Sequence, residues 1–509
     1  PGRDRGTPPG APGPGEGEMW AHPATFPRLV LRDGRPLPLT ATRLLLRRLA
    51  GSGNTDPGMT APECVDRTAL TEVCEPGSPA AFVEALFERW RLMGMPPAAG
   101  WMMTALGVLG DDDTVRLLVP LIDRWPGEDG HHRAVRGLDV LAAIGTEEAL
   151  RALHGLSRGS RFTALRRRAG ERMVEVAAGL GLSAEQLADR LVPDLGLDPD
   201  GSTVIDYGAR RFVVGFDERL RPFVVDDAGR TRAVPPEPGP RGDGPDARAE
   251  YRRFAALRRE ARAVASGLLP RWEREMVEGR RWSLAEFHRC LAAHPLLGHA
   301  VRRLVWEVRE EGPDGRDRVV TFRPGPGGTG VDVYGRPVTP GDHAVVRLPH
   351  PLALGEELTV WRARFAGGGI SQPFPQVERP VHGLRPGEER SSRLRRLEGV
   401  TVSTEALLSL VRRGWVRGEP SEDGVERWLS RQVGPGRYVV INPERGIVTG
   451  DPEPIPQQRV RAVRLATVPG EDGPEGAGAP RFGELDPVMI SEVLDDLASL
   501  VSGGEELGS

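Results

Sequence analysis

Lysine is missing from this chain. All 68 side chains of the Lys and Arg class are arginine, and the other bases are ten histidines. A P-loop, a kinase phosphate-binding lysine and Schiff-base or pyridoxal-phosphate chemistry all need Lys, so those enzyme classes are excluded. Cysteine is nearly missing. Cys64, Cys74 and Cys290 are an odd number in 509 residues without a secretory signal, which points to no disulfide framework, a reducing compartment and an expected cytoplasmic location. Apolar runs are cut every few residues by Arg, Asp or Gly, short of the ~18 to 20 residues of a membrane helix, so no membrane association is expected. An excess of charge is lacking too: the arginines face 72 carboxylates for a net −4, which leaves no general field for nucleic acid or membrane.

Proline and glycine, by contrast, are plentiful. The opening PGRDRGTPPGAPGPGEGE starts at Pro1 rather than Met and has no apolar core, so residues 1–20 read as a disordered linker continuing from a longer polypeptide. An internal repeat comes next. TALGVLGDDDTVRLLVPLI (104–122) aligns with DVLAAIGTEEALRALHGLS (139–157) at an offset of 35 residues, matching Leu106 to Leu141, Leu109 to Ile144, Val115 to Leu150 and Leu118 to Leu153. Each copy reads as a helix closed by Gly, an acidic turn and a second helix. Such hairpins bury their apolar faces by stacking, and the period is similar to that of HEAT-like repeats.

The expected architecture is α+β and multidomain. A HEAT-like helical domain spans 21–200, a three-stranded β-meander 201–235, a Pro/Gly linker 236–246, a helical segment 247–310 and a mixed α+β region 311–509. Within the helical segment, PLLGHAVRRLVWEV reads as a helix that begins after His294-Pro295.

The stretch HRCLAAHPLLGH places His288, Cys290, His294 and His299 in twelve residues. Only Cys290 and His294 share a helical face, and Pro295 separates that pair from the next helix, so a helix seam with His294 as cap is the reading, with metal binding or catalysis as alternatives. His350-Pro351 repeats the device, making His350 a second candidate cap. GPGGTG (Gly325, Gly327, Gly330) fits GxGxxG but is followed by VDVYG rather than a helix, and reads as a hairpin loop. GLSRG fits GxSxG, but Ser157 ends a repeat helix. Six arginines between Arg158 and Arg172 face only Glu171, giving a solvated face, an acidic-partner site or a nucleic-acid site. SQPFPQVERPV (371–381) and LLSLVRRGWVRG (407–418) supply a candidate ligand groove of Gln372, Gln376, Arg379, Arg412, Arg413 and Trp415.

In order, WMMTALGVLGDDD, GLDVLAAIGTEEAL, LADRLVPDLGLDPDG, RRFVVGFDERLRPFVVD, AHPLLGHAVRRLVWEV, HPLALGE, QPFPQVERPV and RRGWVRG resemble the bacterial MolR-like (molybdate metabolism regulator-like) family, catalogued as domain of unknown function 4132, over about residues 20 to 500. The resemblance implies large multidomain bacterial proteins, often with more helical repeats and sometimes a WGR module upstream. It supplies no catalytic residues. His294, Pro295 and His299 match the family's motif, whereas His288 and Cys290 do not.

The functional expectation is a non-enzymatic interaction or regulatory scaffold with a protein partner, no cofactor and no metal. The alternative is an enzyme acting on an anionic substrate in the 372–415 groove. A second alternative is a nucleic-acid-associated regulator using Arg158 to Arg172 with the Arg248 to Arg262 helix. Oligomeric state is left open.

Overall fold

The structure, a computed structural model, describes residues 22–52, 67–239, 243–311, 317–325, 329–448, 455–470 and 479–505. The linker 1–20, Cys64, residues 240–242 of the 236–246 linker and residues 326–328 of the GPGGTG loop lie outside the described residues. Two compact units divide the chain, Pro1–Pro193 and Asp194–Ser509.

In the first unit each copy of the repeat folds as a helical hairpin, Trp101–Leu109 with Asp112–Arg124 and His131–Ile144 with Glu147–Gly159. The acidic turns do the capping. The Asp111 carboxylate accepts the N–H groups of Asp113 (3.0 Å) and Thr114 (3.3 Å), and the Asp111 N–H donates back to the Thr114 hydroxyl. Thr146 accepts from the Ala149 N–H at 3.2 Å and donates to Asp112 Oδ1 at 2.7 Å, which ties the second turn to the first. The aligned pairs Leu106/Leu141, Leu109/Ile144, Val115/Leu150 and Leu118/Leu153 are buried in one core, and of the pair Leu121/Leu156 the second is buried there and the first half-buried against it. Gly137 lets the hairpins close up: a Cβ there would stand 2.5 Å from Ile122 Cγ1. Helices Ser78–Leu92 and Thr163–Gly179 extend the same core on either side, and Ala184–Arg190 ends the unit.

The second unit opens with a meander of four antiparallel strands, β1 Thr203–Asp206, β2 Arg211–Phe216, β3 Pro222–Asp226 and β4 Thr231–Arg232. Sequence patterning gives three strands. The fourth arises because the turn after β3 folds tightly on an aspartate: Asp226 Oδ1 accepts the N–H groups of Ala228 and Arg230 (both 3.0 Å), and Oδ2 accepts Arg230 Nε (2.9 Å). The same Asp-x-x-x-Arg device closes the preceding turn at Asp217/Arg221 and a later one at Asp332/Arg336. These backbone and guanidinium donors hold the Asp226 carboxyl below its ordinary range.

A single helix, Ala247–Glu278, runs to Gly279, which takes the left-handed conformation (φ 69°) and stops it. The helical reading of 247–310 then fails. After β5 Arg281–Ser283 come a helical turn, Leu284–Glu286, a π-helical turn, Phe287–Ala292, and a short helix, Leu297–Val301. The remainder of PLLGHAVRRLVWEV is not helical: Trp306 begins β6, Trp306–Glu311. Tertiary packing decides this. Leu304, Val305 and Trp306 are all 0% exposed, and the Trp306 ring meets Trp272 (6.1 Å), Trp282 (5.7 Å) and Phe287 (4.8 Å). With β7 Asp317–Pro324, β8 Gly330–Asp332 and β9 Val345–Arg347 the strands form a sheet in the order β5-β9-β6-β7-β8. The buried Glu307 of β6 lies in register with Arg347 of β9 and receives two bonds from it, at 2.7 and 2.6 Å.

Helices Pro351–Leu354 and Glu357–Gly367 come next, then β10 Thr401–Ser403, β11 Val416–Arg417, β12 Val425–Glu426, β13 Leu429–Gly434, β14 Arg437–Pro443, β15 Ile447–Val448 and β16 Gln457–Ala466. Their main sheet has the order β10-β16-β14-β13-β11, and β12 pairs separately with β15. The C-terminal helix, Pro487–Glu505, inserts Ile490, Val493, Leu494, Leu497 and Leu500 into the core with Leu407, Leu410, Leu429 and Ile441. Among the described residues no helix is long and apolar enough to cross a membrane.

Candidate functional site

The segment 371–381 spends its glutamines on backbone. Gln376 is 0% exposed: its Oε1 accepts the Val305 N–H (2.8 Å), and its Nε2 donates to the carbonyls of Val305 (2.8 Å) and Pro349 (3.1 Å). One side chain thus satisfies both polar groups of a residue just ahead of β6, as a neighbouring strand would. Gln372 supports it, donating to the Arg303 carbonyl and to Gln376 Oε1 (both 3.2 Å) while accepting the Val377 N–H (2.9 Å).

The remaining groove candidates converge on the C-terminal helix. Arg379 grips Glu492 bidentately, at 2.6 and 2.5 Å, and also binds Glu273 of the long helix. His350 completes that cluster. Its Nδ1 accepts the Leu352 N–H (3.2 Å), capping Pro351–Leu354, so its Nε2 carries the proton and donates to Glu492 Oε1 (3.2 Å). Burial alone would raise the Glu492 carboxyl; the bonds from Arg379 and His350 outweigh it and hold the group at about 2. Burial opposes the Arg379 charge as well, but Glu492 and Glu273 prevail and keep the guanidinium firmly protonated. One turn further along the helix, Asp496 accepts from Trp415 Nε1 (2.8 Å), from Arg413 (3.1 Å) and from Arg431. His382 lies 3.2 Å from Asp495, and its N–H donates to the Ser491 hydroxyl at 3.0 Å.

Five of the six groove candidates are therefore bonded inside the fold, and Arg412 alone among them is exposed with no partner among the described residues. The partners that sequence reasoning missed, Glu492, Asp495 and Asp496, carry one signal: SEVLDDLASL puts three acids at i, i+3 and i+4, on one helical face.

The residues of HRCLAAHPLLGH go separate ways. The His288 ring packs on Phe287 (5.7 Å), Cys290 is buried, and His294 Nδ1 accepts the N–H groups of Leu296 (3.2 Å) and Leu297 (3.3 Å). His299 Nε2 lies 2.8 Å from the Gly201 carbonyl, and burial holds its ring below the usual histidine range, so the neutral ring donates there. In the helical unit, the Arg158 to Arg172 cluster is largely neutralised. Arg167 and Arg168 pair with Glu171, Arg172 with Asp139 and Glu175, Arg166 donates to the Ser160 carbonyl, and Arg161 stacks on Phe162 at 4.7 Å. Ser157 donates to the His154 carbonyl within its helix.

A different basic feature is open. Along the long helix a cavity of about 300 Å³ is lined by Tyr251, Phe254, Ala255, Arg258, Arg259 and Arg262, with Val234 from the segment after the meander. The three arginines are exposed, and among the described residues none has a hydrogen-bonding or ionic partner.

The protein named "Uncharacterized protein YehI" from Escherichia coli (strain K12) is 35% identical to this chain over 350 residues, 69% of the chain and 29% of that protein. The chain thus spans under a third of the curated relative it matches, and no solved structure matches it. Residues 229–415, the part that carries the long helix with its arginine-lined cavity, the Trp306 cluster and all six groove candidates, match the family described as Domain of unknown function (DUF4132).

Proposed function

We propose that the chain is a non-enzymatic interaction and regulatory protein of the MolR-like kind. Its HEAT-like helical repeats, in residues 21–200, present a binding surface, and the α+β half acts as a recognition module. One observation carries this reading: five of the six polar side chains that would have to converge on a substrate are already bonded to the fold, while Arg258, Arg259 and Arg262, on the exposed face of the long helix, have no partner among the described residues. A catalytic groove needs groups free to meet a reacting molecule, and a binding module does not. Stacked hairpins, capped at their acidic turns, give an extended surface of the kind repeat proteins use for partners. A protein partner in the cell completes the proposal.

The test is crosslinking mass spectrometry of the protein in its own cells. Lysine-directed reagents have no target here, so a carboxylate-reactive linker addressed to the 72 Asp and Glu residues is required. A stoichiometric protein crosslinked at defined carboxylates is the expected result. A chain without protein partners that retains a stoichiometric small molecule in native mass spectrometry would overturn the reading in favour of an enzyme.

A further inference from the structure

We infer that the cavity on the long helix is a docking groove for an acidic segment of a partner protein, one that carries a large apolar side chain beside alternating carboxylates or phosphates. This rests on the reading of the chain as an interaction protein and gives that reading a site and a ligand chemistry.

Charge comes first. The described arginines elsewhere in this unit are repeatedly matched: Arg210 with Asp243, Arg347 with Glu307, Arg379 with Glu492, Arg417 with Glu426. Arg258, Arg259 and Arg262 are unpaired and also line one cavity together. They lie within five residues, are exposed and have no counter-charge among the described residues. The nearest acid in sequence, Glu260, lies about 200° around the helix from Arg258 and Arg262 and about 100° from the adjacent Arg259, and it forms no ion pair with any of them among the described residues. Three guanidinium groups held together without an anion repel one another, and an external anion relieves that repulsion.

Shape narrows the ligand. Tyr251, Ala255, Arg258 and Arg262 succeed one another at three or four residues and form a stripe about 16 Å long beside the buried face of the helix. The apolar end, Tyr251 and Phe254 with Val234 opposite, accepts a hydrophobic side chain; the basic end accepts anions. Arg258 and Arg262 are about 6 Å apart along the axis, close to the repeat of alternate side chains in an extended peptide, roughly 6.6 Å. The groove stays open to solvent along one side, so a small molecule would leave much of its surface wet, whereas a chain that continues past both ends would not depend on enclosure. A nucleic acid would call for repeated stacking platforms along the basic stripe. Here both aromatic residues lie at one end of it.

The test uses the full chain and fluorescence anisotropy. The probe is a labelled ten-residue peptide with one Phe followed by Glu at three alternate positions. Its companions are the same peptide with phosphoserine for Glu, the same peptide with Ser for Phe, the same peptide with Gln for Glu, and a ten-nucleotide single-stranded oligo-dT. Expected is saturable binding of the acidic or phosphorylated peptide, weakened at least tenfold by Arg258→Glu with Arg262→Glu, by loss of Phe or by Gln in place of Glu, and strengthened at low salt. Arg412→Glu, an exposed arginine elsewhere, leaves binding unchanged, and equal melting temperatures verify that the variants fold. Absence of peptide binding, binding indifferent to the charge reversal, or tighter binding of oligo-dT at the same arginines would overturn the groove. A chain that ignores the peptide yet crosslinks a protein through its helical unit loses the groove and keeps its scaffold role, so the two failures are told apart.

Discussion

Glu492 shows how much of this protein is held by single charges in the right place. It is 6% exposed, accepts from Arg379 and His350, and titrates near 2 instead of its ordinary 4.5. A carboxyl whose value falls on folding contributes stability that is complete above about pH 4.5 and fades as the pH drops from there toward 2. Glu492→Gln keeps the shape and removes the charge, leaving the half-buried Arg379 with Glu273 alone, at a cost of about 3 kcal/mol near neutral pH. Urea unfolding at pH 7, 4.5 and 3 checks this: the gap between parent and variant should shrink across the two lower values, and a constant gap would refute the assignment. The sequence made Arg379, Arg413 and Trp415 conspicuous as a set, and the structure does bring them to one helix. It could not supply their acids, which lie 113, 83 and 81 residues further on, because local periodicity carries no information about pairing over that separation. The two glutamines looked equally like ligands and like braces in the sequence, since either role needs the same amide.

At the scale of elements, the N-terminal helices were legible because apolar residues recur at helical spacing, and leucines 35 residues apart in sequence are buried in one core. The stretch from Leu304 to Val308 was not legible. A short apolar run suits a buried strand as well as a helix, and only the Trp272, Trp282 and Phe287 rings packed around Trp306 decide for the strand. Glycines inside the repeat helices separate local preference from packing. Helix propensity alone favours Ala over Gly at both Gly137 and Gly155 by up to about 1 kcal/mol. At Gly155 nothing lies within 4 Å of an added Cβ, so Gly155→Ala should stabilise by roughly 0.5 to 1 kcal/mol. At Gly137 the Cβ would meet the buried Ile122 at 2.5 and 2.8 Å, so Gly137→Ala should destabilise by about 1 to 3 kcal/mol. Thermal melts of the two variants should therefore move in opposite directions, and a shared direction would mean that the hairpins are not packed at Gly137 as described.

For the whole molecule, the C-terminal helix is the piece on which the second unit depends. Its apolar face contributes Ile490, Val493, Leu494, Leu497 and Leu500 to the core of the 401–466 sheet, and its acidic face anchors Arg379, His382, Arg413 and Arg431, which come from segments far apart in sequence. Burying five such side chains is worth on the order of 10 kcal/mol, as much as the net stability of a typical domain. Removing the helix would also strand the arginines at partly buried positions without their carboxylates. A chain ending at Leu485 should thus lose the fold of Asp194–Ser509, while Pro1–Pro193, whose core draws on none of these residues, keeps its own. Hydrogen exchange read peptide by peptide measures both at once: protection should vanish from the β6 and β14 strands and persist in the repeat hairpins at Leu106, Leu118, Leu141 and Leu153. Protected strands in the shortened chain would show that the sheet carries its own stability and that the acidic seam serves some purpose other than holding the unit together.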